Sequence, residues 1–198
     1  MEWSLTGLPL PIVLRPPSPL TDDELIAFSR KNKPYRIESD ATGQLHIHEP
    51  WFFKTAQRKM RVANELGRWA DSSYGVGLSG NAGFRIKEGS VLTADAPWIC
   101  ARRWAALSRD GFIDGAPDFL IEVRSEDIPV STLRERMKLW IANGAQLAWM
   151  IDPYGETITI YRPGVLPEVS QKPDSIEANA PVAGFRLTTS RLWEKEPS

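Results

Sequence analysis

Three acidic residues interrupt stretches of this chain that otherwise have the composition of β-strands: Glu38, Asp95 and Glu122. Glu122 is the clearest case, because it lies near the end of the apolar run FLIEV at 119–123. Side chains alternate between the two faces of a sheet, so Glu122 shares its face with Leu120. A carboxylate on a buried strand is costly unless it is paired, hydrogen-bonded or bound to a metal. We therefore expect the three acids to converge at one end of a sheet.

Converging carboxylates repel one another unless protons or a divalent cation neutralise them. Oxygen ligands of this kind suit Mg²⁺ or Mn²⁺. Such an ion activates a bound water near neutral pH and neutralises charge on a phosphoryl oxygen. A cation from a neighbouring helix would stabilise the additional negative charge of the transition state. The simpler alternative is that each acid is a surface charge, or that Glu122 forms a salt bridge and nothing more.

Composition disfavours other kinds of metal site. Cys100 is the only cysteine, which excludes an internal disulfide framework and a cysteine-based zinc cluster. The two histidines, His46 and His48, alternate with apolar residues in a predicted hairpin, and no third ligand lies at a useful spacing. We assign a structural role to both histidines.

Length and charge are those of an ordinary globular domain. The 198 residues are 42% apolar and 25% charged, with a formal net charge of −1. This balance excludes a protein that is basic over its whole surface, although a local basic groove for nucleic acid stays open. No apolar run approaches the length of a membrane span, and the N-terminus lacks the pattern of a secretory signal. We expect a cytoplasmic protein that does not enter a membrane.

Prolines and capping residues divide the chain into an extended N-terminal arm over 1–20 and a single domain over 21–194. Thr21 and Glu24 form a capping box that predicts a helix over 22–30. The rest of the pattern predicts a hairpin over 35–48, a helix over 54–70, strands over 84–86, 91–99 and 118–124, a helix over 133–143, a hairpin over 146–161 and a loop over 163–182. This order predicts an α/β or α+β fold with a mixed central β-sheet flanked by helices.

The helix predicted over 54–70 has an apolar stripe that includes Met60, Ala63, Leu66 and Ala70. Its other side is basic, with Lys54, Arg58, Lys59, Arg61 and Arg68. A basic helix face is usually a solvated surface, and it is also the best candidate in this chain for contacts with phosphate groups.

Several short sequence motifs, in a fixed order, give the chain a family resemblance over 21–193. The motifs are Arg36-Ile37-Glu38, Gly83-Phe84-Arg85, Ala94-Asp95-Ala96, the stretch 117–125, Ala142-Asn143-Gly144, the stretch 149–153 and Gly184-Phe185-Arg186-Leu187. In this order and spacing the chain resembles the Uma2-type restriction endonucleases, a branch of the PD-(D/E)XK nuclease superfamily. The resemblance implies a restriction-endonuclease-like core and a metal-dependent endonuclease that acts on DNA.

The resemblance also implies roles for particular residues. Asp95 and Glu122 would bind Mg²⁺ or Mn²⁺ together with the Val123 carbonyl, and Glu38 would complete the site. The family's lysine lies four residues before an aromatic, and in this chain that position is Arg136.

Arg136 departs from the family pattern, because arginine does not lose its proton and is a poor general base. It could orient water or stabilise charge. Arg124 is a second candidate, being two residues after Glu122 on the same strand, whereas Lys138 lies on the opposite flank of its helix. For both arginines the alternative is a simple salt bridge to Glu122.

Three functions are consistent with these residues. The first is a Mg²⁺-dependent endonuclease with Asp95, Glu122, Arg136 and Glu38 in its site. The second is a catalytically degenerate relative that binds nucleic acid or a protein without cleavage. A glycosidase, which needs two carboxylates flanking a sugar cleft, has no further support.

Aromatic residues suggest where the core and a partner surface lie. Trp98, Trp140 and Trp149 fall in predicted elements and are assigned to the core. The run Trp51-Phe52-Phe53 precedes the basic helix, and we expect it to form a homodimer contact or to pack internally rather than to stack on bases.

Overall fold

The fold is a mixed α+β architecture, as predicted, and a computed structural model describes it for residues 12–33, 35–48, 53–108 and 111–194. The first eleven residues of the predicted arm, together with Trp51 and Phe52, lie outside the described residues. The helices of the described chain are α1 (Asp22–Lys31), α2 (Phe53–Ala70), α3 (Ala101–Ala106) and α4 (Val130–Ala142).

Short strands make up the rest of the regular structure. In chain order they are β1 (Ile12–Leu14), β2 (Arg36–Ser39), β3 (Leu45–His48), β4 (Gly75–Gly77), β5 (Gly83–Arg85), β6 (Val91–Thr93), β7 (Ala96–Cys100), β8 (Ile113–Asp114), β9 (Phe119–Val123), β10 (Leu147–Asp152), β11 (Thr157–Tyr161), β12 (Glu168–Gln171), β13 (Ser175–Glu177) and β14 (Arg186–Thr188). The first sheet has the order β1-β3-β2-β6-β5-β8, and the second sheet has the order β12-β11-β10-β9-β7-β4. Strands β13 and β14 form a separate pair.

The second sheet is the central layer, with a helix on each face. Helix α2 covers the face that carries Phe119, Ile121 and Val123 of β9. Helix α4 covers the opposite face, where Leu120 packs with Met137 and Trp140. Because side chains alternate along β9, this arrangement turns Glu122 toward α4.

The strand predicted over 91–99 is two strands that belong to different sheets. Strand β6 pairs with β2 and β5 in the first sheet, whereas β7 pairs with β4 and β9 in the second. The chain leaves one sheet and enters the other at Ala94 and Asp95. The prediction of one strand was wrong because both halves are buried and largely apolar, and only Thr93 and Asp95 interrupt the apolar composition at the change of sheet.

Other local predictions agree with the structure where turn chemistry is explicit. The capping box forms, because Thr21 accepts from the Glu24 amide and Glu24 accepts from the Thr21 amide. The predicted hairpins form as β2–β3 and β10–β11. Gly144 follows α4 with a left-handed φ of 109°, which suits glycine at the end of a helix.

The loop predicted over 163–182 contains β12 and β13, so that prediction was wrong in part. Strand β12 is the edge of the second sheet and its side chains are mostly exposed, which gives it the polar composition of a loop. Ile12–Leu14, within the predicted arm, pairs with β3 as a further edge strand. In the described part of the chain, no helix is long and apolar enough to cross a membrane.

Candidate active site at the junction of two sheets

Asp95 and Glu122 lie close together at the end of the pairing between β7 and β9. The last pair of this antiparallel register joins Ala96 and Ile121, and Asp95 and Glu122 are the residues just beyond that pair. The amide of Val123, the residue after Glu122, donates to Asp95 and so holds the two acids near each other. Both acids are buried, each with 3% of its surface exposed. The structure therefore brings together two of the three acids from which the sequence argument began.

The Asp95 carboxylate has one partner on each oxygen. Its Oδ1 atom lies 2.8 Å from the Nζ atom of Lys59, and its Oδ2 atom accepts a 2.8 Å hydrogen bond from the Val123 amide. The Lys59 side chain is 7% exposed and the Asp95 side chain is fully buried. A buried ammonium group thus neutralises Asp95 directly.

The Glu122 carboxylate is held by α4. Its Oε1 atom accepts hydrogen bonds from Arg136 Nε at 2.9 Å and from Trp140 Nε1 at 3.1 Å. Burial raises the pKa of Glu122; the Arg136 charge lowers it and the Asp95 charge raises it, and the net pKa lies above its ordinary value of 4.5. The effect of Asp95 on Glu122 is the electrostatic signature of two acids that share one site.

Glu38 lies on β2 of the first sheet and binds the other side of the same arginine. Its Oε2 and Oε1 atoms accept from Arg136 NH1 at 3.0 Å and NH2 at 2.8 Å, and Oε1 also accepts from the amide and hydroxyl of Thr93. His48 Nε2 is 3.5 Å from Oε2. Burial acts to raise the pKa of Glu38, but the charges of Arg136 and Arg36 and these hydrogen bonds outweigh it, so the pKa is well below its ordinary value.

Arg136 is a clamp between the two sheets. It binds Glu38 of the first sheet and Glu122 of the second, and its NH2 group also donates to the Thr93 carbonyl. Trp140, four residues later on the same face of α4, places its ring 5.7 Å from the guanidinium carbon. The charges of Glu38 and Glu122 outweigh desolvation and raise the pKa of Arg136, so the group stays charged.

Arg124, the second candidate for a catalytic cation, points elsewhere. Its guanidinium donates to the Ile128 carbonyl at 2.7 Å and to Asp152 at 3.1 Å, and lies over the ring of Tyr154. The structure therefore brings Arg136, and not Arg124, to Glu122.

Lys59 is the site residue that the sequence argument missed. It was assigned to a solvated basic face, but Lys59 and Arg58 are both buried. Met60, which was counted in the apolar stripe, is 61% exposed. The spacing of the sequence could have identified Lys59, because it lies in line with the buried residues of α2. These buried residues are Thr55, Lys59, Val62, Leu66 and Ala70, at helical spacing.

The donor set fits a magnesium ion held by two carboxylates. In the described ranges, no group of three acidic, histidine or cysteine side chains is placed to hold one ion, and the Glu38 carboxylate is engaged by Arg136 and Thr93. Mg²⁺ does not require such a group, since it keeps several waters and is usually bound through one or two carboxylates. The ammonium of Lys59 on Asp95 shows that this position already attracts a cation.

Comparisons with known proteins cover most of the chain. The model of the Uma2 family, described as "Putative restriction endonuclease", matches residues 22–190. A crystal structure of a putative nuclease belonging to DUF820 from Anabaena variabilis is similar with a TM-score of 0.69 and 20% identity, covering 88% of this chain and 98% of that one. No curated protein matches. At this identity the structural likeness establishes the fold.

The bridge made by Arg136 predicts that Glu38→Gln is less stable than the native protein by an amount that depends on pH. At neutral pH we expect the free energy of unfolding of the variant to be about 3 kcal/mol lower than that of the native protein, because Arg136 loses a buried anionic partner. The folded pKa of Glu38 lies below its unfolded value, so its contribution is present above about 4.5 and is lost as the pH falls through the folded pKa.

Denaturant unfolding over a range of pH measures this difference, with Glu135→Gln on the exposed side of α4 as the control. A deficit in Glu38→Gln that stays the same down to strongly acid pH would contradict the assignment.

Proposed function

Because the chain belongs to the Uma2 family, we propose that it is a metal-dependent endonuclease that hydrolyses phosphodiester bonds in DNA. The observation that carries the proposal is the buried pair of Asp95 and Glu122, which lie just beyond the last paired residues of β7 and β9 and each bind a protein cation. Two carboxylates in one buried site repel each other, and a divalent cation bound between them would neutralise both.

In this proposal Asp95 and Glu122 hold Mg²⁺ or Mn²⁺, with the Val123 carbonyl as a third ligand. The ion, when bound, activates a water and neutralises charge on the phosphoryl oxygen. Val123 and Trp140 orient the ligands, because the Val123 amide fixes Asp95 Oδ2 and the Trp140 indole fixes Glu122 Oε1. Glu38 acts through Arg136, which it holds against Glu122.

A cavity beside the site supports a nucleic acid substrate. It has a volume of about 590 Å³, and Thr93, whose hydroxyl binds Glu38, lies in its wall. Its described lining carries three cations and no acid; the cations are Arg30, Lys33 and Arg36. Tyr35 and Phe112 add aromatic surface. Cations beside aromatic rings suit a strand whose phosphates and bases are both contacted, and this local charge coexists with a net charge of −1.

A second candidate function is a nuclease fold that binds nucleic acid without cleavage. The specific observation in its favour is that Arg136 occupies the lysine position of the family and is engaged by Glu38 and Glu122. An arginine in this place cannot act as a general base.

Carboxylate replacement tests the endonuclease. We expect Asp95→Asn and Glu122→Gln each to reduce Mg²⁺-dependent nicking of supercoiled DNA by at least about a hundredfold, since each removes a charged metal ligand. Asp152→Asn is the matched control, a buried carboxylate on β10 that binds Arg124. Absence of cleavage by the native protein on any DNA or RNA, with no heat of Mg²⁺ binding, would refute the proposal.

Arg136→Lys separates the two candidates. If Arg136 is a clamp, a lysine cannot span Glu38 and Glu122, and we expect lower stability with no gain in nicking. A strong gain in nicking over the native protein would instead show that the native chain is a degenerate enzyme.

Charge removal in the cavity tests the substrate assignment. We expect the double variant Arg30→Ala with Lys33→Ala to bind DNA more weakly. The slope of the logarithm of its binding constant against the logarithm of the salt concentration should be shallower by about two. Arg162→Ala with Lys172→Ala removes the same charge from a surface where both cations pair with acids. Equal loss of DNA affinity in the two double variants would count against the cavity as the DNA site.

A further inference from the structure

We propose that Lys59 supplies the lysine of this site and that its ammonium and the divalent ion compete for Asp95. The inference rests on the proposed function and adds to it a residue from α2, an element far from the lysine position of the family. Lys59 would release Asp95 when the metal binds and would then contact the phosphate of the substrate.

The first step of the argument is the occupancy of Asp95. Each of its oxygens has a protein donor at 2.8 Å, Lys59 on Oδ1 and the Val123 amide on Oδ2. The amide is fixed by the backbone of β9, whereas the ammonium is carried on a flexible four-carbon chain. A divalent ion bound to Asp95 would lie beside the Lys59 ammonium, and two neighbouring positive charges in a buried site repel each other strongly. The lysine is therefore the partner that gives way.

The second step concerns where the ammonium can go. The Lys59 residue is only 6% exposed and belongs to the buried stripe of α2, so its chain stays within the site. A buried ammonium requires an anion or other acceptors. Once Asp95 is occupied by metal, the phosphate group of the substrate supplies a further anion for the ammonium.

The third step shows that Arg136 is not the cation that gives way to the metal. Its Nε atom is bound to Glu122, its NH1 atom to Glu38, and its NH2 group to Glu38 and the Thr93 carbonyl. Moving this guanidinium would leave Glu38 without its clamp, whereas moving Lys59 leaves Asp95 with a stronger cation. The arginine at the family's lysine position is thus compatible with an active enzyme.

Calorimetric titration with Mg²⁺ or Mn²⁺, without DNA, tests the competition. We expect Lys59→Met to bind the ion about tenfold more tightly than the native protein, because no ammonium must be displaced, while nicking is lost. Lys59→Arg should bind the ion no more tightly than the native protein. Lys138→Met is the control, since Lys138 is exposed and pairs only with Glu135 among its described contacts.

A purely structural lysine would behave differently. In that case folded Lys59→Met would show equal or weaker metal affinity, and this result would overturn the inference. Failure of the native protein and Lys59→Met alike to bind either ion would instead overturn the proposed function.

A second measurement is made on the native protein and needs only the charge-conserving variant Lys59→Arg for its assignment. In lysine-labelled native protein, the ¹⁵N resonance of the Lys59 ammonium, assigned by its loss in Lys59→Arg, should shift when Mg²⁺ is added. An unchanged resonance at saturating metal would also overturn the inference.

Discussion

The structure depends on one buried electrostatic arrangement, the bridge that Arg136 makes between Glu38 and Glu122. The two acids belong to different sheets, and one guanidinium with its fixed planar donors satisfies both. A charge buried in this way is very costly if its partner is absent, so the clamp fixes how the first sheet lies against the second. The separation of 98 residues between Arg136 and Glu38 makes it a tertiary constraint and not a local one.

Asp95 sits where the chain passes from the first sheet to the second. The crossing places the Asp95 carboxylate within reach of Lys59 on α2 and of the Val123 amide on β9. Lys59 reaches this point from one face of the second sheet, and Arg136 reaches Glu122 from the other. Three acids and their cations thus form a compact and nearly neutral cluster, which explains how so many buried charges are tolerated.

Because the cluster is nearly neutral, its cations are consistent with a structural role and with a catalytic role. Cations that compensate the acids stabilise the fold, and the same cations are those a phosphodiesterase needs beside its metal. The difference lies in mobility, because Arg136 is bound at every nitrogen whereas Lys59 has a single point charge on a long chain. The basic cavity that shares Thr93 with the clamp gives the arrangement a neighbouring surface suited to phosphate.

The sequence by itself determined the α+β class, the capping box of α1, the hairpins and the strand that carries Glu122, because these follow from local alternation, capping and turn residues. It also placed Asp95, Glu122 and Arg136 among the candidates. Only the tertiary structure decided which charged groups form ion pairs. Arg124 binds Asp152, and Arg136 binds Glu38 of the other sheet. Asp95 binds Lys59, which lies 36 residues earlier in the chain. The physical reason is that a buried ion pair is selected by the packing of distant elements, whereas helix and strand patterns report only which side of an element faces the core.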